Sequence, residues 1–160
     1  METAMTRYRI AGLSPEPFRP LFGLSDAELA ERHILRRHVP PGGGLPDRIE
    51  LRDAQPGESC LLLNYCHLDL PSPYRASHAI FVREGAERAF EAENQLPEML
   101  RKRLLSLRAF NAQGLIVEAG VVEGRLAEGL IGHLLDLPST AFIHAHFAGH
   151  GCYAARITRA

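Results

Sequence analysis

The sequence predicts an α+β fold: one domain over residues 1–160, with a largely antiparallel β-sheet, two to four helices and a C-terminal β-hairpin. Three observations predict it. Short apolar runs with period-two alternation are bounded by Pro/Gly/Asn turns. Helix signals fall between these runs without the regular strand–helix alternation of a parallel fold. A chain of 160 residues with 46% hydrophobic and 23% charged residues has the size and composition of one ordinary globular domain.

Taken in order, Tyr8 to Leu13 reads as a first strand, with residues 1–6 as a disordered or alternative-start segment. Ser14, Pro15 and Pro17 supply a cap and first turn. Ser25 and Glu28 form a capping-box pattern that opens a helix running to about Arg32. His33 to Val39 reads as a strand, the Pro40 to Gly44 segment as loop, and Arg48 to Asp53 as an alternating strand. Cys60 to His67 is the most apolar run and the expected central strand. Pro71, Ser72 and Pro73 precede a strand from His78 to Arg83. Ala86 to Arg103 is helical in composition, with a break at Pro97. Leu104–Phe110 and Leu115–Val122 form a hairpin. A helix from Arg125 to Leu137 places Leu126, Leu130, Leu134 and Leu137 on one face, and Pro138 ends it.

The last twenty residues form a hairpin around Gly149-His150-Gly151. Side chains alternate across a strand, so a three-residue loop pairs Ala148 with Cys152 and Phe147 with Tyr153. Ala145 then meets Ala155, and Ile143 meets Ile157, which makes one apolar face. The opposite face sets His144 against Arg156 and His146 against Ala154. A slip of one residue would move Arg156 into the core.

That face carries the candidate chemistry. His144 and His146 are expected to act as base or hydrogen-bond donor, and Arg156 to anchor an anion such as a phosphate or carboxylate. Tyr74, Arg75 and His78, on a restricted loop and the strand after it, are expected as wall residues. No metal is assigned on this reading, because Arg156 lies across from the histidine pair. The alternative is a metal-dependent hydrolase: two histidines at i and i+2 have Cα atoms about 6.7 Å apart and can share an ion, with a third ligand from Cys152, His150, His67 or His78. A third reading is a non-catalytic protein that uses the hairpin as a sheet edge in a homodimer. The convergence of His67, His78, His144, His146 and Arg156 in space discriminates among these. Histidines on a hairpin face with no role beyond solvation are the competing interpretation.

Other features narrow the class without assigning a reaction. The net charge of −1 gives no pull toward nucleic acid or acidic membranes. Every basic residue but Lys102 is arginine. The Arg101 to Arg103 cluster with Arg108 reads as a solvated basic face. Cys60, Cys66 and Cys152 are odd in number and lack CxxC spacing. Cys60 and Cys66 lie about 20 Å apart along one strand, so a reducing, cytoplasmic setting is expected. No apolar segment is long enough for a membrane span or a signal sequence. The cofactor is unknown, and P-loop, GxGxxG, HExxH and GxSxG patterns are absent.

Three segments in this order are familiar: Pro56 to Tyr65, the Pro73-Tyr74-Arg75-Ala76-Ser77-His78 stretch running on to Glu84, and His144 to Arg156. Together they resemble the family of small bacterial proteins called domain of unknown function 1203. The resemblance covers nearly the whole chain and implies a full-length single-domain family, with no activity attached. A cysteine often precedes the arginine at the position of Arg48 in that family; Asp47 stands there in this chain.

Overall fold

A computed structural model describes residues 4–160. Eleven strands and three α-helices are arranged as β1 (Tyr8–Ala11), α1 (Asp26–Glu31), β2 (Leu35–His38), β3 (Leu45–Pro46), β4 (Asp53–Ala54), β5 (Ser59–Leu68), β6 (Ala76–Arg83), β7 (Glu91–Glu93), α2 (Glu98–Arg101), β8 (Leu104–Phe110), β9 (Ile116–Glu123), α3 (Ala127–Asp136), β10 (Phe142–Phe147) and β11 (Tyr153–Arg159). The six-stranded sheet has the order β7-β1-β11-β10-β8-β9, the three-stranded sheet β2-β5-β6, and β3-β4 is a small ribbon. All paired ladders are antiparallel. The α+β class and the C-terminal hairpin are as the sequence predicts. β5 is the centre of its own sheet.

The six-stranded sheet has two buried faces of different character. One packs on α3. Leu105 and Leu107 of β8, Ile143 and Ala145 of β10, and Ile157 of β11 meet Ile131, Leu134 and Leu135 in one core cluster. The other face carries the hairpin histidines and turns toward β5. The three-stranded sheet buries Leu61, Leu63, Ile80 and Val82 against Phe18, Leu29 and Ile34 of the segment around α1. This segment is also tied by a polar knot. Glu84 accepts from Arg36 Nε (2.6 Å), Ser59 Oγ (2.8 Å) and the Gly23 amide (3.1 Å), so one carboxylate joins β2, β5 and the loop before α1. Ser25 and Glu28 form the expected capping box.

Several expectations are corrected. Of the strand expected over Arg48 to Asp53 only its last residue, in β4, is strand; the rest turns, because the Asp47 carboxylate accepts the backbone N–H groups of Ile49 (3.2 Å) and Glu50 (2.7 Å) and folds the chain around itself. Its Oδ1 also takes the Arg83 amide, which pins the turn to the end of β6. Ala86 to Arg103 forms only the single turn of α2. Glu91 and Glu93 sit in an edge strand, where they face Arg9 and Arg7, and cross-strand opposite charges outweigh helical propensity there. The last long helix begins at Ala127 after a 3₁₀ turn, so Leu126 is exposed and Ala127, Ile131, Leu134 and Leu135 form the buried face. The hairpin is internal to its sheet, so it offers no free edge for a partner; β7 and β9 are the edges. Thr6 hydrogen-bonds the Asp136 carboxylate, while residues 1–3 of the expected disordered segment lie outside the described residues. No helix among the described residues is long and apolar enough to cross a membrane.

Candidate metal centre

The hairpin register is as expected through Ile143–Ile157, His144–Arg156 and Ala145–Ala155. A bulge then intervenes, and His146 lies opposite Tyr153 rather than Ala154. The extra residue, Ala154, reverses the alternation of β11 beyond it. Tyr153 thereby leaves the apolar face and joins the histidines, while Cys152 pairs with Phe147 through the Phe147 amide and the Cys152 carbonyl (2.9 Å). On the other side β8 pairs with β10, setting Arg108 opposite His144 and Ser106 opposite His146. Two rows result across three strands: Arg156–His144–Arg108 and Tyr153–His146–Ser106.

This face is covered. His144 and His146 are 2% and 1% exposed, so they belong to an interior and not to a solvated hairpin surface. The cover comes from β5, which contributes His67. Its ring lies 4.9 Å from His146 and 5.8 Å from His144, centroid to centroid, and stacks on Tyr153 at 5.4 Å with planes 4° apart. Phe110 and Phe142 close the other end, their rings 5.4 and 5.0 Å from His144. One nitrogen from each of His67, His144 and His146 lies within 4.8 Å of the other two. Among the described residues no other group of three His, Cys, Asp or Glu side chains converges in this way.

Each of the three rings also holds a buried nitrogen without a hydrogen-bond partner: Nδ1 of His67, Nδ1 of His144 and Nε2 of His146. For His146 the reason is explicit. Its Nδ1 donates to the Gly151 carbonyl at 2.9 Å, which in a neutral ring leaves Nε2 as a bare lone pair. A backbone carbonyl fixing the tautomer is the usual support for a metal-ligating imidazole.

The electrostatics keep all three rings neutral. Burial, with the charges of Arg108 and His78, lowers His67 to about 4. Burial, then His146, His67, Arg156 and Arg108, lowers His144 to about 3. Burial also lowers His146, to about 4, against the opposing pull of the Gly151 carbonyl. No carboxylate contributes to any of these shifts, and neither Arg108 nor Arg156 has an acidic partner among the described residues.

The other expected site residues are placed as follows. Arg156 lies across from His144, but its side chain is exposed and its guanidinium rests over Phe142, 4.5 Å from the ring centroid. Tyr74 is exposed and touches Phe110 edge-on at 6.2 Å. Arg75 is exposed and pairs with Asp69. Neither Tyr74 nor Arg75 reaches the histidines. His78 sits opposite Tyr65 on β6, near enough for its charge to act on His67 and His146. Sequence reading missed Arg108 and Tyr153. The expected solvated basic cluster also dissolves: Lys102 and Arg103 pair with Asp53, Arg101 pairs with Glu128, and Arg108 turns inward.

Residues 44–159, which hold the whole centre, match the profile of a family described as protein of unknown function DUF1203. The chain belongs to that family. No curated protein and no solved structure matches it. What a DUF1203 chain can do chemically therefore rests on its own geometry. In this one the three histidines, Tyr153 and Arg108 all lie inside the matched span.

Proposed function

We propose that this DUF1203 protein is a metal-dependent enzyme of hydrolytic type, in which His67, His144 and His146 hold one divalent cation. The observation that carries the reading is the set of three neutral imidazoles, two buried and one half-buried, each with a buried nitrogen that nothing in the protein satisfies. Buried polar atoms are ordinarily paired, and three neutral imidazoles are a known ligand set for catalytic zinc, with a fourth position open to water. Three nitrogens on a tetrahedral zinc lie about 3.4 Å apart, so closing from separations of no more than 4.8 Å moves each by at most about 0.8 Å.

With no carboxylate ligand the cation keeps its full charge. Such a centre strongly favours a hydroxide or an anionic substrate group in its open position, and it brings bound water to a pKa of about 7. Arg108 and Arg156 extend the same preference outward. The argument against a metal, that Arg156 repels a dication, weakens because its guanidinium is solvated and stacked on Phe142. The reading includes a reducing compartment such as the cytoplasm, supported by Cys60, Cys66 and Cys152 forming no disulfide.

Cobalt titration of tag-free, chelator-stripped protein tests this. We expect one Co²⁺ per chain with visible absorption of tetrahedral intensity, displacement by Zn²⁺, and loss of both in His67→Ala, whose half-buried side chain is the least costly of the three to remove. Absence of stoichiometric Zn²⁺, Co²⁺, Mn²⁺ and Fe²⁺ uptake by the wild type would overturn the proposal. Binding of inorganic phosphate without metal would then favour an anion held directly by the histidines and arginines.

A further inference from the structure

A second feature lies at the tip of the hairpin. A cavity of about 760 Å³ opens between the β10–β11 turn, the β3 ribbon and β6, within the range of small-molecule sites. Its walls are mostly apolar, with Leu45, Leu62, Phe81 and Phe147 prominent among them, and two guanidiniums, Arg48 and Arg103, reach it. Both lie over the Phe147 ring, 4.9 and 5.2 Å from its centroid.

The two arginines differ in what balances them. Arg103 is ion-paired with Asp53, at 2.8 Å to Oδ1 and 3.2 Å to Oδ2, a carboxylate it shares with Lys102. Arg48 is 1% exposed and has no carboxylate partner. Its Nε donates to the Tyr153 carbonyl (2.8 Å), Nη1 to the Pro46 carbonyl (2.6 Å) and Nη2 to Cys152 Sγ (3.0 Å). The neighbouring Asp47 spends its oxygens on the backbone amides of Ile49, Glu50 and Arg83. A buried guanidinium bound directly only to two carbonyls and a sulfur is without an ion pair, and the nearby Asp47 carboxylate supports its charge through space alone. A guanidinium has five N–H groups. Three are used, so one remains on each terminal nitrogen, the number that a carboxylate takes.

We propose that this cavity is a binding site for a small monocarboxylate with an apolar body, its carboxylate on Arg48 and its body against Leu45, Leu62, Phe81 and Phe147. The site is separate from the histidine centre and does not depend on a metal. The fixed, buried charge selects for a carboxylate over a neutral or cationic head group. The apolar walls supply most of the contact area but discriminate little between chains of similar size.

The test uses wild-type protein in EDTA, so that no metal contributes, with decanoate, decanol and decylamine as probes below their aggregation concentrations, followed by calorimetry and by Tm. We expect decanoate to bind one per chain, at least tenfold tighter than decanol, with decylamine not binding. Ala79→Trp, at an exposed cavity-lining position that leaves Arg48 untouched, is expected to abolish decanoate binding. Arg48→Met is expected to bring decanoate down to the affinity of decanol. If Arg48→Met does not fold, the Ala79→Trp result and the probe ranking still decide. Equal affinity for decanoate and decanol, no binding of decanoate, or undiminished binding in Ala79→Trp would overturn the proposal.

Discussion

At the scale of single residues, His144 and His146 are held neutral by an interior without acids, and this has a consequence for stability. An imidazole lowered to about 3 or 4 in the fold but titrating near 6.5 in the unfolded chain binds fewer protons when native across the interval between those values. Stability therefore rises with pH through that interval; it is fully present above about 6.5 and drains away as pH falls toward 4. The two buried rings together give a slope of up to about 2.7 kcal/mol per pH unit, and half-buried His67 adds less. Urea unfolding of metal-free protein at pH 4.5, 5.5 and 6.5 is expected to show this dependence, and His144→Phe is expected to reduce its slope by up to about 1.4 kcal/mol per pH unit. A pH-independent wild type would contradict neutral, buried histidines. The pair was legible from the sequence as an i, i+2 motif with Arg156 across from His144. That the pair is buried was not, because burial depends on β5, nearly eighty residues upstream.

At the scale of elements, local signals are sound for most segments that pair with a neighbour in sequence, the β3–β4 ribbon and the bulge in the last hairpin being the exceptions. The Ser25 capping box, the β8–β9 hairpin and the first three pairs of β10–β11 are examples. Failures came where a distant partner decides. Glu91 to Glu93 is strand because β1 and the residue before it offer Arg9 and Arg7, and Tyr153 changes faces because of a bulge that no turn residue announces. Arg108 reads as solvated surface in the sequence because nothing in its own hairpin signals that β8 pairs with β10. Two glycines test how well the resulting packing is understood. A Cβ on Gly124, where the 3₁₀ turn crosses the end of α2, would lie 1.8 Å from the Leu100 carbonyl oxygen. Gly124→Ala is expected to destabilise by about 3 kcal/mol or more, since backbone must move to admit it. Gly129, within α3, has open space around its Cβ position, and Gly129→Ala is expected to stabilise by about 0.5–1 kcal/mol through the unfolded chain and helix propensity. Thermal unfolding of both variants checks the pair.

At the scale of the whole molecule, two sheets are joined at a face that carries ligand-competent groups as well as apolar ones. A ligand bound by both sheets in the native state alone stabilises the chain by mass action. With Zn²⁺ at about a thousand times its Kd the gain is about 4 kcal/mol, or roughly 8–16 °C in Tm for a domain of this size. Differential scanning calorimetry with zinc and with EDTA is expected to show that gap in the wild type and none in His67→Ala.

His67 and His144 are 77 positions apart in the chain, and they belong to different sheets. An ion held by both is a non-covalent staple across a long loop, and closing a loop of that length in a disulfide is worth about 4–5 kcal/mol on the chain-entropy model. If the proposed ion is bound, its assembly would have a built-in order: His144 and His146 would form a two-toothed chelate as soon as the hairpin exists, and the third tooth would arrive only when β5 docks. Departure would follow the reverse path, and metal exchange would then serve as a clock for the loosening of β5 from the hairpin.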